Sequence, residues 1–427
     1  MLRATLALPV LFLGLVASAA RLPVAPPSQE VLEASAARKD ATVLILGGGV
    51  AGVIAARTLH EQGIDDFIIV EARDELGGRL MSHAFGTPDR QFTVELGANW
   101  VQGTQTGNGA ENPIWALAKK HNVTTRLSDF GSISTYDDSG AFDFRDIFDA
   151  SIENFQRLVA SAGGRVPKRL VDMSARGGYS LTVNVIENAK HEVKVTLTDG
   201  RVLRADYALC TFSLGVLQHN DVKFVPPLPA WKQEAIHSMS MGTYTKIFLQ
   251  FPQKFWFDTQ MALYADYERG RYPVWQSLDH PSYLPGSGIL VVTVTGEFSK
   301  RIESLPDSYV QSEVMDILET MFPEVDVPEP IDFYFQRWHS DPLFRGSYSN
   351  WPAAFLSEHQ GNLRANVDER LWFAGEATSR KYFGYLHGAY TEGEAIGLTL
   401  AECIQGGGCL GLEHIDRVQN ARPYDIV

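Results

Sequence analysis

The sequence predicts a two-domain α/β protein that begins with a βαβ unit. Its 427 residues are 45% hydrophobic and include 8 tryptophans, enough apolar material for a large core divided between two domains. The segment ATVLILGGGVAGVIAARTLHEQGIDDFIIVEA contains a β-rich run, a glycine turn, an Ala-rich helical stretch and a second β-rich run. Further along, β-rich blocks alternate with amphipathic helical patterns, which is typical of α/β proteins.

Three glycines follow the first predicted strand, Thr42 to Leu46. Gly47, Gly49 and Gly52 form the pattern GxGxxG before a helical stretch that runs through Leu59. The first glycine permits a tight turn, the second lets backbone N–H groups approach a pyrophosphate, and the third lets the helix pack against the strand. The positive end of the helix dipole then faces the phosphates. GxGxxG alone occurs by chance, but this position between strand and helix predicts dinucleotide binding.

An acidic residue supports this prediction. Glu71 follows the second predicted strand, Phe67 to Val70, and lies about twenty residues beyond the last glycine, where a carboxylate accepts hydrogen bonds from ribose hydroxyls. It would repel a 2′-phosphate. We therefore expect a dinucleotide without that phosphate.

Several later segments define further elements. VKVTLTDGRVLRADYALCTF predicts a hairpin with an Asp-Gly turn followed by a buried strand. TKIFLQF and GILVVTVTG predict strands, and LWF predicts a short buried strand over Leu371 to Phe373. A core-facing helical stripe is predicted for Val310, Val314, Ile317, Leu318 and Met321.

The net charge and the first residues bear on partners and location. A net charge of -14 disfavours nucleic acid and anionic membranes as partners and favours a cationic small molecule. Residues 1–20 contain one Arg, an apolar stretch and an A-x-A arrangement at Ala17 to Ala19, the pattern of a cleaved secretory signal. A membrane anchor is the alternative, but the apolar run is shorter than the roughly 20 residues of a spanning helix. We expect a secreted, extracellular protein with no stable membrane insertion after cleavage.

Secretion gives meaning to the cysteines and to one sequon. Cys403 and Cys409 bracket IQGGG and are close enough to form a disulfide in an oxidising compartment. Cys210 is then a free and buried thiol. The sequon Asn122-Val123-Thr124 is a candidate glycosylation site.

An ordered series of motifs carries a family resemblance. The series comprises GGGVAG with Glu71, ELGGRL, ELGANWVQG, SLGVLQ, YTKIF, GSYSNWP and LWFAGEATSRKYFGYLHGAYTEGEAIG. From about Ala41 to Cys409 the chain resembles the flavin-containing amine oxidases, most closely the secreted polyamine oxidases of that superfamily. The resemblance implies an FAD-dependent oxidation of a primary or secondary amine by O2, with H2O2 as product. No cysteine falls in the C-terminal loop that carries a covalent flavin in the monoamine oxidase branch, so noncovalent FAD is expected.

The resemblance also implies a two-domain flavoprotein. A Rossmann-like FAD-binding domain is combined with a substrate domain made of a mixed sheet plus helices. The predicted boundaries are 41–124, 181–237 and 355–412 for the FAD-binding domain, and 125–180 and 238–354 for the substrate domain.

Further cofactor contacts are implied by position within the matching motifs. Gly78 and Arg79 of ELGGRL, with Gly97, Ala98 and Asn99 of ELGANWVQG, would lie against the flavin side of FAD; a solvated turn with a surface arginine is the alternative for Arg79. Gly375 and Glu376 of FAGEATS would lie near the ribityl or phosphate part. Val183 corresponds to the position whose backbone pairs with adenine.

The catalytic and substrate contacts are implied in the same way. Lys246 of YTKIF matches the lysine that is linked through water to flavin N5, whereas its sequence alone favours an exposed lysine on an edge strand. Tyr348 and Tyr385 match the two rings that wall the amine, with Tyr244 lining the same cavity. Without the family, each would be read as a core tyrosine.

Two departures from the family pattern stand out. Gln102 occupies a position that is typically a glutamate, so it offers a dipole to a substrate ammonium without a net charge. In addition, DMSARGGYS leads straight into LTVNVIENAK, so the substrate domain is shortened by roughly a hundred residues at Ser180–Leu181. A gene-model error and a splice form are alternative origins. An inactive truncated chain that only binds FAD, or an amino-acid oxidase with an arginine for the substrate carboxylate, are the functional alternatives.

Overall fold

A computed structural model describes residues 40–105, 107–129, 131–149, 152, 185–189, 192–198, 200–219, 221–352, 356–408 and 411–412. The predicted signal segment, Val183 and Cys409 lie outside these residues. The predictions made for them, including the disulfide, therefore stay predictions. Cys210 is buried and free, as expected.

The strands and helices are numbered along the chain. The strands are β1 (Ala41–Leu46), β2 (Phe67–Val70), β3 (Ser82–Phe85), β4 (Phe92–Glu95), β5 (Ile133–Asp137), β6 (Gly140–Ala141), β7 (Val185–Ala189), β8 (Glu192–Thr196), β9 (Val202–Cys210), β10 (Lys223–Val225), β11 (Ser240–Gly242), β12 (Tyr244–Gln250), β13 (Met261–Tyr264), β14 (Val274–Ser277), β15 (Ile289–Thr295), β16 (Asp332–Phe335), β17 (Tyr348–Asn350) and β18 (Leu371–Phe373). The helices are α1 (Val50–Glu61), α2 (Pro113–Lys120), α3 (Leu214–Gln218), α4 (Ala230–Ser238), α5 (Gly296–Glu303), α6 (Asp307–Met321), α7 (Ser357–Arg364) and α8 (Leu386–Gln405), with a 3₁₀ turn at Glu376–Thr378.

The first sheet contains the βαβ unit. Its strand order is β10-β7-β8-β9-β1-β2, with β18 also paired to β9. Strand β1 is parallel to β2 and to β9, and Leu46 is in register with both Val70 and Cys210. Because parallel strands end at one edge, the residues that follow β1, β2 and β9 meet there.

Helix α1 packs closely on this sheet because of its small residues. A Cβ placed on Gly52 would lie 2.1 Å from the Gly47 carbonyl oxygen, and one on Gly393 of α8 would lie 2.3 Å from the Ala51 carbonyl oxygen. The predicted role of Gly52 in helix packing is therefore visible in the structure. Ile54, Leu59 and the facing Leu400 are buried, so α1 is held between the sheet and α8.

Lys232 of α4 joins two peripheral helices of this half. It is fully buried, and its Nζ donates to the carbonyl oxygens of Leu363 and Ala365, each at 2.6 Å. These carbonyls end α7, where a cation is favourable. Burial lowers the pKa of Lys232 well below its ordinary value.

The second sheet has the order β16-β12-β15-β14-β13-β5-β6. Strand β12 lies between β15 and β16, to which it is antiparallel. Helix α6 covers a core that includes Trp275 and Phe335. Its predicted stripe is confirmed, because Val310, Val314, Ile317, Leu318 and Met321 are all buried.

The α/β fold class is confirmed, with each large sheet carrying its own core. The strands of the first sheet come from 41–70, 185–225 and 371–373, and those of the second from 133–141 and 244–335. The domain boundaries themselves stay predictions. Within the described residues, the helices are too short or too polar to span a bilayer.

Candidate active site

A cavity of about 2550 Å³ lies at the carboxyl edge of the first sheet. Its lining includes Gly47 after β1, Glu71 after β2, Thr211 after β9 and Gly375 after β18. The cavity continues onto the second sheet, where the alternating residues Tyr244, Lys246 and Phe248 of β12 line it. A pocket for one small ligand measures about 300–1,000 Å³, so this space accommodates two ligands side by side.

The glycine turn at the first end of the cavity is held from behind. Gly47 has a φ of 108°, a conformation that favours glycine. The Thr211 Oγ1 donates within 2.9 Å of the Leu46 carbonyl oxygen and 3.1 Å of the Gly47 carbonyl oxygen. A Cβ on Gly49 would meet only the Gly78 Cα, at 4.0 Å, so the start of α1 is left open. This is the cradle expected for a pyrophosphate at a helix N-terminus.

Glu71 lies where a ribose-binding acid is required. Its Oε2 accepts from the Gly48 N–H at 2.7 Å and its Oε1 accepts from the Arg73 N–H at 2.9 Å. A carboxylate has about four acceptor positions, and these two bonds fix its orientation while leaving capacity for ribose hydroxyls. The residues present therefore fit a dinucleotide.

The ELGGRL turn connects the glycine loop to the rest of the cavity. The Gly77 N–H donates to the Gly48 carbonyl oxygen at 2.9 Å, and Gly78 has a φ of 60°. Arg79 donates to the Ser347 carbonyl oxygen at 3.0 Å and to Glu376 at 2.9 Å. The alternative of a surface arginine is wrong.

Glu376 is 7% exposed and serves as a junction between segments of the wall. It accepts from Arg79, from the Ser349 N–H at 3.1 Å and Ser349 Oγ, and from the Gly384 N–H at 2.8 Å. These donors fix both carboxylate oxygens. Its predicted contact with FAD stays a prediction.

Lys246 is buried in the interior of the second sheet with an exposure of 8%. The alternative of an exposed edge-strand lysine is therefore wrong. Its Nζ donates to the carbonyl oxygens of Glu95 at 3.1 Å and Gly97 at 2.6 Å, and to Asn99 Oδ1 at 3.0 Å. Burial lowers the pKa of Lys246 to about 8, and the nearby Glu95 charge opposes this shift.

The ELGANWVQG turn owes its glycine to the protein itself. A Cβ on Gly97 would lie 1.7 Å from the Arg79 carbonyl oxygen, so a side chain there would collide with the chain before it reached a cofactor. The expectation that bulk is excluded at Gly97 by the flavin is thus replaced by a nearer cause. Ala98 and Asn99 line the cavity and are exposed to it.

Three tyrosines line the part of the cavity beyond this turn. Tyr348 and Tyr385 are 37% and 46% exposed, so the alternative of core tyrosines is wrong. The rings of Tyr244 and Tyr348 are 6.3 Å apart and tilted by 52°. Burial, followed by the proximity of Tyr244 and Tyr385, raises the pKa of Tyr348. Tyr385 stacks on His387 with ring centroids 5.3 Å apart.

Gln102 also lines the cavity, with an exposed side chain. Its backbone carbonyl accepts from Asn112 Nδ2 at 3.1 Å, and the same asparagine caps α2 through the Ile114 N–H. The backbone at 102 is thereby held in place beside the cavity.

Sequence reasoning missed two cavity residues. Thr211 supports the glycine turn, and its signal was its position after β9, beside β1. Arg73 lines the cavity and donates to the Gly78 carbonyl oxygen at 3.1 Å; its position two residues after Glu71 was the available signal. Helix α8 begins at the cavity with Leu386, one residue before the predicted start.

Comparison with known proteins identifies the family. The model described as "Flavin containing amine oxidoreductase" matches residues 50–176 and 156–395. The chain belongs to this family. Polyamine oxidase 6 of Oryza sativa subsp. japonica is 33% identical over 468 residues, covering 86% of this chain and 92% of the relative. Polyamine oxidase 1 of Zea mays is 33% identical over 469 residues, covering 86% and 91%.

More distant relatives include lysine-specific histone demethylase 1 homolog 2 of Arabidopsis thaliana, 28% identical over 440 residues, covering 83% of this chain and 57% of the relative. Together with the fit of the cavity, family membership makes this chain an FAD-dependent amine oxidase.

The comparisons also bear on the shortened substrate domain. An alignment of 468 residues that includes only 86% of a 427-residue chain leaves roughly a hundred positions of the rice relative without a counterpart. The family model matches in two pieces that meet within 156–176. The break therefore falls close to the predicted junction at Ser180.

Proposed function

We propose that this protein oxidises a primary or secondary amine, of the polyamine class, to an imine, and that O2 is reduced to H2O2. One observation carries the proposal: a single cavity joins a dinucleotide cradle to an aromatic chamber with a buried lysine at the boundary. Bound FAD supplies the acceptor for the hydride that leaves the amine. The names of the rice and maize relatives support a polyamine.

The chain's own groups have distinct tasks in this proposal. Glu71 and the glycine turn hold the dinucleotide, and Tyr244, Tyr348 and Tyr385 form walls that exclude water and attract a cation through their ring faces. Lys246 lies where the two ligand spaces meet and has a pKa of about 8. An amine with that pKa gains or loses a proton near neutral pH.

The substrate and the location follow from charge and from the first residues. A net charge of -14 attracts polycations, whereas Gln102 supplies only an amide dipole at the cavity wall. We further propose that FAD is bound noncovalently and that the protein is secreted, with a glycan at Asn122. Asn122 is exposed and follows α2 with a φ of 53°.

A second candidate is a chain that binds FAD without turnover. It is favoured by the gap in the alignment with the relatives, because the missing segment would include part of the substrate chamber. An amino-acid oxidase is less favoured, since Arg79 of the cavity wall is already paired with Glu376.

The deciding experiment is a panel of substrates assayed for peroxide, with full absorption spectra. The panel contains spermine, spermidine, a monoamine of matched length and several amino acids. Flavin bleaching under anaerobic conditions with peroxide formation in air supports the proposal, and the preferred substrate gives the class. A flavin spectrum without bleaching by any member supports the inactive candidate.

A further inference from the structure

The Nζ of Lys246 has a complete set of hydrogen-bond partners on the ELGANWVQG turn. The carbonyl oxygens of Glu95 and Gly97 and the Oδ1 of Asn99 accept from it within 3.1 Å. An ammonium has three donors and no acceptor, so these three partners satisfy the charged form. A neutral amine has only two donors and one lone pair, which requires a donor in return.

The three partners respond differently when the proton leaves. The carbonyl oxygens of Glu95 and Gly97 belong to the backbone and can only accept. The side-chain amide of Asn99 has an acceptor end and a donor end. Rotation of this amide would present its N–H to the amine lone pair, so the buried nitrogen would keep all its hydrogen bonds.

We propose that Asn99 is a positioning residue for Lys246, whose amide follows the protonation state of the lysine and so sets the pH at which the lysine releases its proton. This inference rests on the proposed function insofar as Lys246 handles protons during amine oxidation. It assigns Asn99 a role toward the lysine in addition to its predicted contact with the cofactor.

Few other charges oppose this role. The Glu95 carboxylate is the charge that acts on Lys246. On the neighbouring strand β15 the residue opposite Lys246 is Thr293, which is uncharged. The same face of β12 carries Tyr244, a titratable phenol, and Phe248. Asn99 is therefore the adjustable contact among the three acceptors.

Two variants separate this role from simple support of the turn. Asn99→Asp keeps the shape and the acceptor but adds a charge and removes the donor, which favours the ammonium. Asn99→Leu removes both ends, which disfavours it. Each is made with and without Lys246→Met, and the free energy of unfolding of the FAD-saturated protein is measured from pH 7 to pH 11. The difference within each pair isolates the titration of Lys246, and Asn350→Asp adds a matched charge elsewhere on the cavity wall.

The proposal requires opposite shifts. The pH at which Lys246 begins to lose its proton should rise by about one to three pH units in Asn99→Asp, the usual effect of an adjacent opposite charge, and should fall in Asn99→Leu. Shifts in the same direction, or no shift beyond that of Asn350→Asp, overturn it. If Asn99→Leu does not fold, the rise in Asn99→Asp decides alone.

A second measurement separates this inference from the proposed function. Flavin reduction by substrate is followed in a rapid-mixing instrument across the same pH range. A pH profile that moves together with the stability onset supports both. If the stability onset moves and the rate profile does not, Asn99 still positions Lys246, and the proposed proton handling by this lysine in amine oxidation is wrong.

Discussion

Replacing Lys246 by methionine should change how the stability of the protein depends on pH. The side chain is 8% exposed, and burial lowers its pKa from 10.5 to about 8. Each pKa unit corresponds to about 1.4 kcal/mol, so charging Lys246 in the folded protein costs about 3 kcal/mol relative to the unfolded chain. Methionine has a similar length and no such cost.

The direction of the pH effect follows from proton binding. Below pH 8 the lysine is charged in both states, and the folded protein carries the full cost. Between pH 8 and pH 10.5 the folded protein has lost this proton while the unfolded chain retains it, so the free energy of unfolding rises with pH. Relative to Lys246→Met, the parent should therefore gain about 3 kcal/mol across this range. The absolute difference also includes the three carbonyl groups that lose their donor, so the slope is the quantity predicted.

Urea unfolding of the FAD-saturated proteins at several pH values measures this slope. Lys223→Met, at an exposed position of β10, is the matched control and should run parallel to the parent. Lys232 is present in all three proteins, so its own titration cancels in the comparison. Parallel curves for the parent and Lys246→Met would refute the assignment of Lys246 as a buried lysine with a lowered pKa.

Four other outcomes are expected. Lys246→Met should retain FAD yet slow flavin reduction or reoxidation severely in rapid-mixing traces; unchanged traces in both half-reactions would make the lysine structural. Gly49→Leu should abolish FAD binding, because its side chain would occupy the open start of α1, and absorbance near about 450 nm after gel filtration measures this; the parent should release its FAD on denaturation. Gln102→Glu should improve apparent affinity for spermidine and spermine over a monoamine by roughly ten- to a hundredfold, the range of about 1–3 kcal/mol for hydrogen bonds to charged groups, and Gln105→Glu is the charge-matched control outside the cavity; equal effects on all three amines would contradict it. Restoring the missing segment at Ser180 from the genomic reading should raise stability and turnover together, and a transcript that encodes this chain with full activity would show that the segment is dispensable.

The elements of the fold were predictable where local chemistry determines them. Strand β2 occupies the predicted residues, and β1 and α8 differ from prediction by one or two residues at their ends, because a glycine turn or an apolar run marks each boundary. Lys246 was harder, since a lysine in an apolar strand gives no information on whether the strand is at an edge. That depends on pairing with β15 and β16, which come much later in the chain.

Within the site, the cause of a residue was less predictable than its location. Gly97 was expected at the cavity and lies there, but the atom that excludes a side chain is the Arg79 carbonyl oxygen. Such a contact joins two turns that are distant from any regular pattern. Thr211 was missed for a similar reason, because a single threonine after a strand is uninformative until its hydroxyl is seen to reach the Gly47 carbonyl oxygen.

The bonds of Glu376 affect how the substrate chamber can change. This acid follows a strand of the first sheet, yet it holds the backbone N–H groups of Ser349 and Gly384, the immediate neighbours of Tyr348 and Tyr385. The separation of the two ring-bearing segments is thus fixed from the cofactor side of the molecule. A relative that accepts a bulkier amine cannot widen this gap by altering the ring-bearing segments alone, because the carboxylate would lose a donor. Ring size at 348 and 385 remains adjustable, so substrate range in such a protein should diversify through the side chains while the backbone between them stays constant.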